Sequence, residues 1–251
     1  MKKIVLLGIA VFLLALFLKT PASLIVSQIE SQSNVSLSGV SGTLWKGRAQ
    51  QLNVAGNPLG ELSWTVKLWS LLTGSLAGKL DIQGDELTVD GNYAISFART
   101  LTLDDTHIEI SAGLINSLQS YVRLSGGHLR GTIDHLEVPL SLQTPPLMAA
   151  IINLEQGGLS SPFSVAEGNY QLKIEPKAEG ILLGTLNSSD APVDLKGTVS
   201  LNKDWRYQTD LKIKTTPQGR NLQGTLSMIG RPQADGYIHI KESAQLKLSG
   251  Q

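Results

Sequence analysis

Apolar and polar residues alternate with a period of two along most of the chain after residue 37. Leu62, Trp64 and Val66 alternate with Ser63 and Thr65, and several later segments behave alike. Because successive side chains of a strand point to opposite faces, this alternation predicts strands with one apolar face. Turn signals such as Asp-Gly-Asn at residues 90–92 separate the segments. Short strands without long helices between them predict a mainly β fold, built as a mostly antiparallel meander.

A five-residue motif, which reads apolar, any residue, Gly, Thr, apolar, occurs five times. Its copies span residues 40–44, 129–133, 182–186, 195–199 and 222–226. In an extended chain the glycine shares a face with the two apolar residues and leaves a gap there. Glycine inside a strand often marks a bend, a bulge or a close backbone approach. The repeated gap therefore predicts a curved sheet that forms an open, taco-like groove, unless Gly-Thr pairs are simply frequent in a glycine-rich β protein.

The glycines of this motif are candidate structural or interaction residues for that reason. They are Gly42, Gly131, Gly184, Gly197 and Gly224. Trp45 and Trp69 join them because they interrupt the local alternation and suit a surface that faces a membrane or a partner. Trp64 follows the apolar stripe and is expected in the core.

Two short helices are predicted to interrupt the sheet. Residues 111–122 carry apolar side chains at helical spacing, and Thr144 followed by Pro145 has the form of a helix cap and first-turn proline. Residues 144–159 are therefore expected to form a helical connection that ends at Gly157-Gly158. This connection would separate a first β region, residues 24–143, from a second, residues 160–251. The pattern leaves open whether the two regions are separate domains.

Residues 1–23 are predicted to form an N-terminal membrane anchor. Lys2 and Lys3 precede an unbroken apolar run at residues 4–18, which as a helix would span about 22 Å. That is shorter than the roughly 30 Å hydrocarbon core, but flanking lysines can snorkel to the interface. A cleaved signal peptide is the alternative, although the small residues after Lys19 form a poor cleavage site. The positive-inside rule then puts the N-terminus in the cytoplasm and the body outside it.

Charge and cysteine content exclude several classes of function. Lys and Arg together number 21, as do Asp and Glu, so electrostatics give no reason to expect nucleic acid as a partner. The chain has no cysteine, which removes disulfides, thiolate catalysis and Cys-ligated metals.

Catalytic chemistry finds little support in the motifs. The four histidines lack the spacing of a metal site, and residues 74–80 lack the Ser or Thr with which a phosphate loop binds magnesium. Asp104, Asp105 and His107 could form an acid–base site with a distant Ser, yet no nucleophile-elbow motif is present. Solvated residues on a polar strand face are the preferred interpretation. We therefore predict no catalytic residue, no cofactor and no metal, in a protein that is not an enzyme.

Four further segments are spread along the chain. They read Gly-Val-Ser-Gly-Thr-Leu-Trp-Lys-Gly at 39–47, Leu-Gly at 59–60 leading to Leu-Ser-Trp at 62–64, Ser-Pro-Phe-Ser at 161–164 with Gly-Asn-Tyr at 168–170, and Leu-Ser-Met-Ile-Gly-Arg-Pro at 226–232 with Asp-Gly-Tyr at 235–237. Together with the N-terminal anchor they resemble the type II secretion system protein N family of Gram-negative bacteria, and the first segment is the most specific. The resemblance implies a single-pass inner-membrane protein with a periplasmic body and an accessory role in exporting folded proteins across the outer membrane. It brings no catalytic residue with it.

The gapped apolar face is also similar to that of the AsmA-like proteins, whose curved sheets hold an apolar groove that faces lipid. Two functions follow. The first is a non-enzymatic module that is tethered to the inner membrane by residues 4–18 and binds other type II secretion components, through an open sheet edge or an exposed apolar patch. The second is a lipid-binding or lipid-transfer protein that holds acyl chains in the groove. The first is preferred because the family resemblance supports it directly.

Overall fold

A computed structural model describes residues 16–24, 26, 34–118, 123–141, 144–161 and 164–246. The strands are β1 (Val35–Ser38), β2 (Ser41–Gly42), β3 (Lys46–Val54), β4 (Asn57–Lys67), β5 (Ser75–Gln83), β6 (Leu87–Ser96), β7 (Thr100–Ser111), β8 (Arg123–Pro139), β9 (Leu147–Ser161), β10 (Val165–Lys177), β11 (Ile181–Ser189), β12 (Val193–Leu201), β13 (Arg206–Thr215) and β14 (Ile238–Gln245). Two α-helices, α1 (Ala112–Leu118) and α2 (Gln223–Ile229), and three 3-10 turns, Leu68–Thr73, Ala178–Gly180 and Pro217–Leu222, connect them.

The strands follow one another in space as they do in sequence. Within the described ranges they form one sheet in the order β1, β3, β4 and so on to β14, with β2 paired to β3 beside β1. Every pairing is antiparallel. The predicted antiparallel meander is therefore confirmed.

Strand register gives the sheet one apolar face and one polar face. A single row of directly paired residues crosses from β3 to β14: Ala49, Leu62, Ile82, Val89, Ile108, Gly131, Ile152, Leu172, Leu186, Gly197, Leu211 and Ile240. One residue along each strand, the next row is polar throughout: Glu61, Gln83, Thr88, Glu109, Arg130, Asn153, Gln171, Asn187, Lys196, Lys212 and His239. Because neighbouring positions in a strand point to opposite faces, the apolar row alone defines the inner face.

The inner face is concave in the second half of the sheet. Val193 and Ile238 pack against Leu222 and Leu226 of the α2 connection, and Tyr170 of β10 packs against the same cluster. In a flat sheet β10 and β14 would lie about 19 Å apart, at roughly 4.8 Å per strand spacing. A helix is only about 10 Å across, so the strands must curl towards it.

Connections in a meander alternate between two ends of the sheet, and these ends differ. Both α-helices lie at one of them, the helix end, where Leu114 of α1 packs with Leu52, Leu59 and Ile82 in the first core cluster. The opposite end, the rim end, carries the 3-10 turn Leu68–Thr73 and the β6–β7, β8–β9, β10–β11 and β12–β13 connections.

Two predicted elements are wrong. Residues 144–159 do not form a helix, because most of them belong to β9, which pairs with β8 and β10 on its two sides. A short apolar run looks alike in a buried strand and a buried helix, and the β-branched Ile151 and Ile152 favour the strand. Gly157 and Gly158 lie at irregularities of the β8–β9–β10 pairing.

The fifth motif copy, residues 222–226, is the second wrong element, because it is helical. Pro217 opens the 3-10 turn that leads into α2, in keeping with the preference of proline for the first turn of a helix. Leu222 and Leu226 are four residues apart, share one side of the helical segment and are both buried. Gly224 is exposed, and a Cβ added there would meet nothing within 4 Å. Gly224 therefore leaves no gap in a sheet.

Three further predictions have different outcomes. The first predicted helix, residues 111–122, contains α1, and residues 119–122 lie outside the described part. Residues 1–15 of the predicted anchor, residues 1–23, lie outside it too. Among the helices in the described ranges, none has the length and apolar character needed to cross a membrane. The division into residues 24–143 and 160–251 stays a prediction.

The motif glycines Gly131 and Gly197 both lie on the inner face, but their surroundings differ. A Cβ at Gly131 would meet only Ile152 Cγ1, at 4.0 Å, so this glycine leaves open space. Gly197 has a φ of +150°, and a Cβ there would collide with the Asp210 carbonyl oxygen of β13. A side chain at position 197 is therefore opposed by both the backbone conformation and the neighbouring strand.

These differences predict opposite outcomes for two alanine substitutions in the same motif. Gly197→Ala should lower the free energy of unfolding by about 1 to 3 kcal/mol, because alanine is strained at that φ. Gly131→Ala should leave it unchanged or raise it by up to about 1 kcal/mol, because the backbone is compatible and the space is open. Urea unfolding of the full chain in detergent micelles compares them, and equal losses would contradict the distinction.

Candidate functional site

The segment after the apolar run is fastened to the first strands by the motif copy at residues 40–44. Gly42 has a φ of +91°, and a Cβ there would lie 2.5 Å from the Lys46 carbonyl oxygen, so only glycine fits this turn. The Thr43 N–H donates to the Lys46 carbonyl at 2.9 Å and closes the turn. Gly42 then accepts a 3.2 Å hydrogen bond from the N–H of Ala22, and the Leu44 N–H donates to Thr20 at 3.1 Å.

Trp45 contacts Phe17, which lies near the end of the apolar run. Its indole N–H donates to the Phe17 carbonyl at 2.8 Å, and the two rings pack with centroids 4.5 Å apart. Trp64, which is expected in the core, is only partly buried: its ring lies over Gly47, and its indole N–H donates to the Leu44 carbonyl at 3.0 Å. The Gly-Thr-Leu-Trp-Lys-Gly sequence therefore clamps residues 17–22 to the sheet.

A first apolar pocket lies beside this clamp on the inner face of β1 to β6. Its volume is about 260 Å³. It is lined by Ala22, Val26, Leu37, Leu44, Leu62, Trp64, Leu80 and Tyr93. Burial raises the pKa of the Tyr93 hydroxyl, so this ring stays neutral at physiological pH.

A second pocket, the chamber, lies between the inner face of β9 to β13 and the α2 connection. Its volume is about 320 Å³, at the lower end of the range for ligand pockets. It is lined by Leu154, Gly157, Gly158, Leu159, Val165, Tyr170, Val193, Leu195, Ile213, Leu222, Thr225, Leu226 and Ile229. Burial also raises the pKa of the Tyr170 hydroxyl. The chamber is thus suited to an uncharged, apolar guest.

Polar contacts on the outer face brace the strands behind the chamber. The Tyr237 hydroxyl donates to Asp194 Oδ2 at 2.5 Å and accepts from Lys196 Nζ at 2.8 Å. Lys196 and Lys214 also lie over the Tyr237 ring, at 4.3 and 4.4 Å from its centre. The hydrogen bond to Tyr237 is the main reason that the pKa of Lys196 is raised.

Asp235 completes this outer cluster. It lies 2.9 Å from His239 Nε2 and accepts a 3.1 Å hydrogen bond from the Tyr237 N–H. These contacts, the histidine contact first, lower the pKa of Asp235 to about 2. Its carboxylate therefore remains ionised throughout the neutral and mildly acidic range.

The last strand, β14, leaves one edge of the sheet open. In the described ranges β14 pairs with β13 alone. The N–H groups of Glu242 and Leu246 donate towards β13, to Thr209 Oγ1 and to the Trp205 carbonyl. Because backbone groups alternate along a strand, the N–H groups of Ser243 and Gln245 point outward. The opposite edge differs, since short strands β1 and β2 share it and Pro21 bridges to Thr43.

The predicted site residues do not converge on one point. Gly184 and Gly197 lie on the inner face of adjacent strands, and Gly131 lies three strands before Gly184 in the sheet order. Gly42 and Trp45 belong to the clamp. Trp69 lies at the rim end and is exposed, whereas Gly224 lies on the outside of α2.

The side chains considered for acid–base chemistry lie on the outer face. His135 Nδ1 contacts Asp104 Oδ1 at 2.6 Å, and His107 Nδ1 lies 3.5 Å from Thr132 Oγ1. These side chains are exposed strand residues, which agrees with the preferred interpretation. In the part of the chain that the structure describes, no cluster of three or more His, Asp or Glu side chains could hold a metal.

Sequence reasoning missed the chamber and the role of α2. The signal was present in Pro217, a helix-opening residue, and in the four-residue spacing of Leu222 and Leu226. The five-residue motif, which predicts a strand at the same place, obscured it. In the sequence, the only sign of the Tyr237 cluster is the Asp-Gly-Tyr segment at 235–237, which is part of the family resemblance. Asp194 and Lys196, which complete the cluster, are far from that segment along the chain.

Fold and pockets define an open antiparallel β-groove protein, with an apolar inner face, two short helical lids and a free sheet edge. The chain belongs to the type II secretion system protein N family: the family described as Type II secretion system (T2SS), protein N, matches residues 33–241. The Type II secretion system protein N of Vibrio cholerae serotype O1 is 24% identical over 252 residues, covering 90% of this chain and 91% of the relative. That of Aeromonas hydrophila is 36% identical over 115 residues, covering 41% and 44%. No solved structure matched the chain.

Proposed function

We propose that this component of the type II secretion machinery is a non-enzymatic, periplasmic β-groove that is anchored in the inner membrane and binds other secretion components. Membership of the protein N family supports the role in secretion. The cytoplasmic N-terminus, the single membrane pass at residues 4–18 and the periplasmic body rest on the sequence pattern.

The clamp supports the anchored arrangement. A membrane helix positions a body only if the junction between them is fixed. The Phe17–Trp45 contact and the hydrogen bonds of Thr20 and Ala22 provide such a junction directly after the apolar run. A flexible linker would give no comparable control of orientation.

The free edge of β14 is the observation that carries the binding role. An edge strand offers unpaired N–H and C=O groups to which another strand can add. The outward N–H groups lie near the rim end, where both faces of β14 are also exposed. A secretion component that contributes an extended segment would continue the sheet there.

Proline substitution tests strand addition at this edge. Ser243→Pro removes an outward N–H and leaves the bonds to β13 in place, so the fold should persist while secretion of a type II substrate falls sharply. Ser243→Ala keeps the N–H and should secrete normally. The assay complements a strain lacking the protein and compares secreted with retained substrate.

Gln245→Pro serves as a second edge variant in case Ser243→Pro lowers the protein level. Circular dichroism melting of each purified variant checks the fold. Normal secretion by a folded proline variant at both positions would rule out strand addition at β14.

Lipid handling is a second candidate function, and the chamber favours it. Its lining is almost entirely apolar, and each methylene buried there would contribute about 0.8 kcal/mol. Thr225 and Ser227 lie on the same short helix, but Thr225 lines the chamber whereas Ser227 is exposed. The pair gives a matched test of occupancy.

If acyl chains occupy the chamber, native mass spectrometry of the full chain should reveal a phospholipid adduct. Thr225→Phe should remove the adduct because the ring fills the chamber, while Ser227→Phe should retain it. An adduct that is equally abundant in both variants, or absent from the unsubstituted chain, would contradict lipid binding in the chamber.

A further inference from the structure

Large apolar side chains project from neighbouring connections at the rim end. They are Trp69, Leu72, Phe97 and Leu140, which we call the rim patch, with exposed fractions of 80%, 77%, 70% and 51%. Trp69 and Leu72 are three residues apart in the 3-10 turn Leu68–Thr73, so they lie on one side of it. Exposed apolar residues are ordinary when they are scattered, but a cluster of them marks an interaction surface.

Hydrogen bonds join the connections that carry the rim patch. The Phe97 N–H donates to the Gly74 carbonyl at 3.0 Å, which ties the β6–β7 turn to the end of the 3-10 turn. The Leu140 N–H donates to the Arg99 carbonyl at 2.8 Å, which adds the β8–β9 connection. The rim patch is therefore one surface.

Hydrogen bonds also hold the turn that carries Trp69 and Leu72. Ser70 Oγ donates to the Lys67 carbonyl at 2.6 Å and accepts from the Ala77 N–H at 3.0 Å. Gly74 closes the turn in the left-handed conformation, with its N–H directed to Leu71 and Ser70. The two apolar side chains are thus held away from the body by a fixed backbone.

The described end of the apolar N-terminal run, residues 16–18, lies at this same end. Phe17, near the last residue of the run, packs on Trp45, and the Trp45 carbonyl accepts a 2.7 Å hydrogen bond from the N–H of Val66. Val66 lies just before the 3-10 turn. The end of the run and the rim patch are therefore parts of one edge.

Charge differs between the two ends. At the rim end the connections and strand ends carry Lys19, Lys46, Lys67, Arg99, Lys177, Lys203 and Arg206, against the acidic residues Glu179 and Asp204. Of these cations, Lys177 forms an ion pair with Glu175. At the helix end the connections and strand ends carry Asp85, Glu86, Asp190 and Asp235, with Arg123, Arg220 and Arg231. Cationic side chains around an apolar patch suit a surface of anionic headgroups over acyl chains.

We infer that the rim patch inserts into the interfacial layer of a bilayer that contains anionic phospholipid, beside the point where residues 4–18 enter it. This inference rests on the proposed membrane anchoring and adds an orientation to it. The sheet stands with its rim end on the membrane and its helix end away from it. Both the inner groove and the free edge of β14 then run outward from the bilayer surface.

Single cysteines can report this contact because the natural chain has none. Trp69→Cys and Phe97→Cys are labelled with the fluorophore nitrobenzoxadiazole, and Met228→Cys on α2 is the control because it is 84% exposed at the opposite end. The full chain is reconstituted into vesicles of phosphatidylethanolamine and phosphatidylglycerol that carry shallow nitroxide lipids in both leaflets. The quenching signal is then independent of the direction of insertion.

Labels at residues 69 and 97 should be quenched several-fold more strongly than the label at 228. Equal, weak quenching at all three positions in chains that float with the vesicles would overturn the inference and leave the anchoring intact. A rim patch that binds a protein component would give that result. Chains that fail to float with the vesicles would overturn both.

Charge reversal tests the headgroup contact in the Phe97→Cys background. Lys67→Glu combined with Arg99→Glu should reduce quenching several-fold on the phosphatidylglycerol vesicles. Lys79→Glu, on the outer face of β5, should leave quenching unchanged. A double variant that is quenched as strongly as its parent would show that the cationic rim does not contact lipid, and would overturn the inferred insertion into an anionic bilayer.

Discussion

The structure depends on one constraint: a wide sheet in which most apolar side chains lie on one face. Pairing from Ala49 to Ile240 keeps that face continuous over twelve successive strands. Burial of apolar area is the main stabilising term in folding, and within the described residues no second sheet is available to cover this face. The face must therefore curl on itself and recruit short lids. Leu114 of α1 and Leu222 and Leu226 at α2 serve as those lids.

The same constraint explains why the helix end and the rim end of the sheet differ. Both lids lie at the helix end, where Leu114, Leu222 and Leu226 are buried and the connections carry more acidic than basic residues. The rim end has no such lid in the described part, and its apolar and cationic side chains face outward. The clamp, the groove and the free edge are thus consequences of how one amphipathic sheet ends at its borders. The proposed binding role and the proposed membrane contact use different borders and can fail separately.

Much of this could be predicted from sequence because alternation is a local signal. The strands, their antiparallel order and the apolar face all follow from a period of two, and the clamp at residues 39–47 was the most specific part of the family resemblance. Local signals failed where the pairing with distant strands decides the secondary structure of a segment. The run at 147–154 suits a strand or a helix, and only β8 and β10 on either side make it a strand. Gly197 and Gly224 occupy the same position of one motif. Gly197 lies within strand β12 with a φ of +150°, whereas Gly224 is exposed on helix α2. A sequence motif specifies residue types, but it does not specify the tertiary contacts that determine what those residues do.

Chemical unfolding observed separately in the two halves tests the continuity of the sheet most directly. Trp45, Trp64 and Trp69 lie in the first half and Trp205 in the second. Trp205→Phe leaves fluorescence from the first half, and replacing the other three with Phe leaves Trp205 as the only reporter. If one apolar face joins β3 to β14, unfolding curves for each variant, followed by fluorescence and by circular dichroism, should have coincident midpoints. Two well-separated midpoints within a single variant, with one half unfolding while the other persists, would contradict the account.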